Sequence, residues 1–154
     1  MHFVTLVVLG LGLLSSAPSF AGALAPTKAS DLVVAGTSES APNCPVAGRA
    51  FDVRFLPDGT EEPFVIPPKH VLVITSVDFS LLGSPSQTAS PVLSLQAATS
   101  VSLLLGSAST DASGLAVGTM VASPGVPVRT GPTLCIIGGT VTSGILHGYF
   151  AKDK

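Results

Sequence analysis

Short runs that alternate apolar and polar residues fill the chain from Arg49 to Ala151. Gly, Pro, Asp and Ser interrupt them roughly every ten to twelve residues. A period of two marks a strand with one wet face and one buried face. No stretch of ten or more residues in this region carries a helical period with caps. The expected fold is therefore all-β: an antiparallel β-sandwich of jelly-roll type with about eight strands.

The runs are Arg49–Phe55, Glu62–Ile66, Val71–Leu81, Pro91–Gln96, Val101–Gly106, Leu115–Ala122, Thr133–Ile137 and Val141–Ala151. A ninth is offered by Asp31–Ala35. Leu56-Pro57-Asp58-Gly59-Thr60 reads as a tight turn. Ser107–Gly114 reads as a loop tip, and Ser123-Pro124-Gly125 as a further turn. Pro127, Arg129 and Pro132 keep their segment from being a central strand, because proline donates no ladder hydrogen bond.

In Val71–Leu81, strict alternation puts Val71, Val73, Thr75, Val77, Phe79 and Leu81 on one face. Leu72, Ile74, Ser76, Asp78 and Ser80 take the other. That second face turns from apolar to polar halfway along, so the strand leaves the core or meets a partner there.

The first residues differ from the rest. Phe3–Leu14 is an apolar run of twelve, followed by Ser19-Phe20-Ala21, a small-x-small cleavage pattern. Twelve residues span only ~18 Å of helix, too short for a ~30 Å hydrocarbon core. The expectation is a signal peptide over 1–21, a flexible arm over 22–44 and the sandwich over 45–154. The protein is then secreted or periplasmic, with no transmembrane segment in the mature chain. Cys44 and Cys135 both lie in that mature chain, and in an oxidising compartment two such cysteines pair as a disulfide.

The chain has 154 residues, 7 Lys+Arg and 9 Asp+Glu, a net charge of -2. Nucleic acid is excluded as a partner, since it wants a basic face. Ser and Thr number 19 and 13, twice the charges. Val71–Ile74, Leu103–Leu105 and Leu134–Ile137 are apolar on both faces. Such a surface suits burial against a second copy or another protein, or is simply a neutral extracellular surface.

Three stretches carry a resemblance. Phe64-Val65-Ile66-Pro67-Pro68-Lys69-His70-Val71-Leu72-Val73-Ile74 is similar to a turn leading into a long core strand, with Pro68 where that pattern has Gly. Val128–Cys135 and Gly144–Phe150 are similar to the later strands of the same group. Over residues 62–152 the chain resembles largely uncharacterised secreted, bacterial or phage-associated β-sandwich proteins. The resemblance implies a fold and carries over no catalytic residue.

Motifs for chemistry are sparse. G-x-S-x-G, H-E-x-x-H, C-x-x-C and the calcium-loop pattern are all missing. His70 and His147 alone survive signal removal, too few for a zinc site without further ligands. No cofactor and no metal is expected, and no catalytic residue is assigned. The candidate binding residues are His147, Tyr149, Asp78 and Arg129. Asp78 sits within a strand and needs a partner, for which Arg54 or Arg129 would serve. His147 alternates with Ile145 and Tyr149. The expected role is a non-catalytic structural or interaction protein, a homo-oligomer or one with a protein partner. The alternative is a carbohydrate- or small-ligand-binding module. A glycan face stacks on Trp or Tyr, and here Tyr149 is the single Tyr and Trp is absent.

Overall fold

The computed structural model describes residues 26, 28–38, 44, 48–97 and 99–153. The expected leader and its cleavage point after Ala21 lie outside these residues, as does much of the expected arm. Among the described residues there are eleven strands: β1 (Leu32–Thr37), β2 (Arg49–Phe55), β3 (Glu61–Pro63), β4 (His70–Leu82), β5 (Thr88–Ala89), β6 (Val92–Gln96), β7 (Ser100–Leu105), β8 (Ala108–Ser109), β9 (Leu115–Val128), β10 (Thr133–Ile137) and β11 (Thr140–Lys152). The other element is a three-residue 3-10 turn at Ala29–Asp31. No described helix is long and apolar enough to cross a membrane.

The antiparallel β-sandwich is built from one continuous sheet curled on itself, in the order β7-β6-β10-β2-β1-β11-β4-β9. β2 makes the corner. One edge of it pairs with β1. The other pairs first with β10 at Arg49 and Ala50, then with β3 from Val53 to Phe55. β5 and β8 form a separate small ribbon. β1 lies between β2 and β11, with Val33 and Ala35 buried, so Leu32–Thr37 is a central strand of the sandwich.

The core between the layers gathers Phe51, Leu72, Ile74, Val77, Phe79, Leu81, Leu93, Met120, Ile136, Leu146 and Phe150, among others. Burying each such side chain contributes about 1.5–3 kcal/mol. This membership corrects the strict alternation expected in β4. Leu72 and Ile74 face the core, and so do Val77, Phe79 and Leu81. Against β11 the pairing skips Thr75, since Ile74 aligns with Gly148 and Ser76 with His147; against β9, Ile74 aligns with Val126 and Ser76 with Val121, so there the surplus residues belong to β9. One extra residue in the strand flips the faces that follow it. The apolar-to-polar change read along one face was two different faces joined at a bulge.

The two-faced apolar strands have local explanations. Val71 and Val73 point away from the main core and form a second small cluster with Ala151 and Tyr149. Cys135 turns away from the core residues Leu134 and Ile136 and bonds to Cys44, with the Cα atoms 5.9 Å apart. The expected disulfide is present. Leu105 at the end of β7 stays 76% exposed.

Ser123–Val128, expected as a turn and connection, belongs to β9 instead. Pro124 and Pro127 are tolerated because β9 is the last strand of the sheet and one of its edges needs no ladder donors.

Candidate binding face

The outer face of β1, β11, β4 and β9 carries the sequence candidates. Register fixes who stands beside whom. Ser76 lies opposite His147 on one side and Val121 on the other. Asp78 lies opposite Ile145 and Thr119, and Ser80 opposite Ser143 and Val117. β1 adds Val34 beside His147 and Leu32 beside Tyr149.

Asp78 and His147 come together. His147 Nε2 lies 3.0 Å from Asp78 Oδ2, and the Thr119 hydroxyl donates to Asp78 Oδ1 at 2.6 Å. The Thr119 hydrogen bond, the largest influence, holds the Asp78 carboxyl below the usual carboxylate range; burial opposes it, and His147 adds to the lowering. The Thr75 hydroxyl donates to the His147 carbonyl at 3.1 Å, so the bulged residue also ties β4 to β11. Beside this group, Ser80 Oγ is 2.6 Å from Thr142 Oγ1 and 2.7 Å from Ser143 Oγ. A shallow hollow of about 400 Å³ is bounded by Asp78, Ser80, Val117, Thr119, Ser143 and Ile145, with Phe79 and Gly118 at its base.

The partner expected for Asp78 is corrected. Arg54 instead bonds Glu62 at 3.0 Å and the carbonyls of Ser30 and Leu32, with its guanidinium 5.2 Å above the Phe150 ring. Arg129 makes a two-pronged bond to Asp153, 3.0 Å on each arm, at an exposed position. That pairing raises the Arg129 pKa and lowers that of Asp153. The structure therefore joins Asp78 to His147 and leaves Arg129 elsewhere. Tyr149 is two residues along from His147, half-buried against Val71, Val73 and Ala151. Its ring is engaged in packing. His70, expected in a turn, is the first residue of β4 and points Nδ1 at the Pro68 carbonyl, 2.9 Å away.

An Asp–His pair is two-thirds of a nucleophilic triad, but the hydroxyl bonded to it, Thr119, donates to the carboxylate. A nucleophile would need to give its proton to the imidazole. Among the described residues no group of three or more His, Cys, Asp or Glu side chains converges to hold a metal ion.

Sequence reasoning missed Thr119, which sits two strands from His147 and has no motif around it. Only the register of β9 on β4 brings it to Asp78. Compared with protein-family models, with curated proteins and with solved structures, the chain matches none.

Proposed function

We propose that the protein is a non-catalytic interaction module, exported to the periplasm or beyond, that self-associates through the outer face of its long-strand sheet. The observation that carries this reading is the apolar character of that face. Val117 and Val121 are 68% and 70% exposed, and Leu32, Phe55, Leu115 and Ile145 join them. Exposed apolar residues gathered on one face mark an interaction site more often than the same residues scattered singly.

A second copy is the favoured occupant. The acid on this face, Asp78, is matched by His147, so two copies present no strong like-charge repulsion. No charged residue lies between Asp78 and Asp111 in the chain. β4, β9 and β11 have 13, 14 and 13 residues. With β1 and β2 they present about 800 Å² in projection, at ~3.3 Å per residue and ~4.8 Å between strands. That is roughly what one partner contributes to a standard interface.

The test is the solution mass of the exported protein by size exclusion with light scattering. A discrete oligomer is expected, and Val117→Lys with Val121→Lys should convert it to a folded monomer that still melts cooperatively, at a temperature no longer dependent on protein concentration. A wild-type monomer at high concentration would overturn the reading. A glycan-binding reading has the hydroxyl group of Ser80, Thr142 and Ser143 beside the hollow in its favour. It predicts saturable sugar binding that Asp78→Asn and Ser80→Ala both weaken.

A further inference from the structure

β9 ends the sheet, and one of its long edges bonds no other strand among the described residues. Which backbone groups point along that edge follows from its first residues. The Gly114 carbonyl accepts from the Gly83 N–H, on the β4 side. Leu115 turns the other way. Its N–H donates to the Asp111 carboxylate at 3.0 Å, and its carbonyl accepts from the Asp111 N–H at 2.8 Å. In an antiparallel ladder, successive residues alternate between the two edges of the strand. The register of β9 on β4 runs unbroken from Leu115 to Val121. Val117, Thr119 and Val121 therefore present their N–H and C=O groups to the open edge. The chain after β7 meets β9 on the core side, where a Cβ on Gly106 would strike Met120. The side chains of Val117, Thr119 and Val121 are exposed on the other side.

Folded proteins guard such edges with charge, proline or a bulge. From Leu115 to Ala122 the chain reads Leu-Ala-Val-Gly-Thr-Met-Val-Ala, with neither charge nor proline. The second half of the strand is guarded. Pro124 and Pro127 lack donors, and the surplus residues between Val121 and Val126 break the ladder. At the other end Asp111 occupies the Leu115 backbone. What stays open is symmetric about Thr119. Turned end for end against itself, it sets Val117 opposite Val121 and Thr119 opposite Thr119. Ala116 then stands opposite Ala122, and Gly118 opposite Met120. A register shifted by two residues either way would put a valine against Thr119 instead, so the match of valine with valine selects one pairing. Asp78 lies one strand in from the edge. Two copies paired this way hold their Asp78 carboxylates about 14 Å apart. That exceeds the ~8 Å screening length of physiological salt.

We propose that β9 pairs antiparallel with β9 of a second copy about Thr119, joining two sheets into one across a two-fold axis. The three facing pairs exchange about six ladder hydrogen bonds. The valines of both copies form one row on the outer side. The proposal rests on the self-association reading for its partner, and it adds a register and a second kind of contact. Edge pairing leaves the outer face of both copies uncovered, so the edge contact and the face contact coexist. Lysines at Val117 and Val121 would break both.

The test is amide hydrogen exchange of the intact protein, followed residue by residue by NMR in dilute and in concentrated solution. The amides of Val117, Thr119 and Val121 are expected to slow about tenfold or more on concentration. Packing of side chains on the face alone gives these amides no acceptor. The register is read by a short bifunctional maleimide on Val117→Cys and Val121→Cys proteins. Mixed together they should cross-link, and each alone should not, because identical positions lie about 13 Å apart along the strands. Ile145→Lys places a charge on the face two strands in from the edge. It should leave the edge amides protected. Exchange at the three positions that ignores concentration overturns the proposal, as does cross-linking of either variant alone as readily as the mixture. Protected edge amides in an assembly that Ile145→Lys does not change keep the edge contact and overturn the face contact. Unprotected edge amides in an assembly that Ile145→Lys dissolves do the reverse. A monomer at every concentration overturns both.

Discussion

His147 and Asp78 share the outer face of the sheet because Thr75 is an extra residue in β4. On that strand Leu72 and Ile74 face the core, and unbroken alternation would turn Asp78 inward with them. The bulge at Thr75 turns it outward instead, to meet His147 Nε2 at 3.0 Å. A one-residue slip in a strand moves every following side chain to the other face.

Deleting Thr75 should therefore leave the fold and its faces in place, because Ile74 and Ser76 already stand opposite the consecutive residues Gly148 and His147 and would become neighbours in an unbroken ladder. Thr75→Ala keeps the bulge and loses the hydroxyl bond to the His147 carbonyl, costing about 1 kcal/mol. Circular dichroism and thermal melting read both variants: a native-like spectrum with a cooperative transition for the deletion, and a small downward shift for the substitution. A deletion variant with no cooperative transition would show that Thr75 is not an extra residue.

The Asp78 carboxyl is lowered by Thr119 and then by His147. A group with a depressed folded pKa stabilises the fold above its unfolded value, near 3.9 for Asp, and that contribution is lost as pH falls through the folded value. Asp78→Asn should thus lower the melting temperature at neutral pH, with the gap to wild type closing in strong acid. Both groups are partly exposed, so the gap should be small. Melting curves from pH 7 down to pH 2 would show it; a gap that widened in acid would contradict the assignment.

Gly148 and Gly59 should respond differently to alanine. A Cβ on Gly148 would run into the Val73 carbonyl oxygen, a backbone atom of the paired strand. Gly59 sits at φ 85° in the β2–β3 turn with open space around it. Gly148→Ala should cost about 3 kcal/mol, as overpacking does. Gly59→Ala should cost about 1–2 kcal/mol from its left-handed backbone alone. Urea titrations of both variants measure the difference, and a Gly59 effect larger than that of Gly148 would refute the close approach.

Cys44 and Cys135 are 91 residues apart. Closing a loop of that length stabilises the fold by about 4–5 kcal/mol in the chain-entropy account. The double variant Cys44→Ser with Cys135→Ser should lose several kcal/mol in urea unfolding. In the intact protein, a free-thiol count of zero and a mass gain of two hydrogens on reduction are expected.

Most of the longer strands were legible because they announce themselves locally; β8 and the second half of β9 did not. Arg49–Phe55 and Thr133–Ile137 have the expected bounds, and both long strands β4 and β11 extend one residue beyond theirs at each end. Apolar alternation with Pro and Gly at the breaks encodes extended chain without reference to anything distant. Pairing of the cysteines followed from compartment chemistry in the same way.

Neither bulge could be read. Thr75 and Asp52 look like ordinary members of alternating runs, and they are extra residues only because β11 and β1 impose a register on β4 and β2. The Asp78–Thr119 bond joins residues 41 apart, and the Asp78–His147 contact joins residues 69 apart. The sequence by itself determined that this chain is a sandwich of short strands with few charges and one cross-link. Which side chains face water and which face the core, only the tertiary structure decided. The physical reason is that a strand's two faces are equivalent to its own backbone until a neighbour selects one of them.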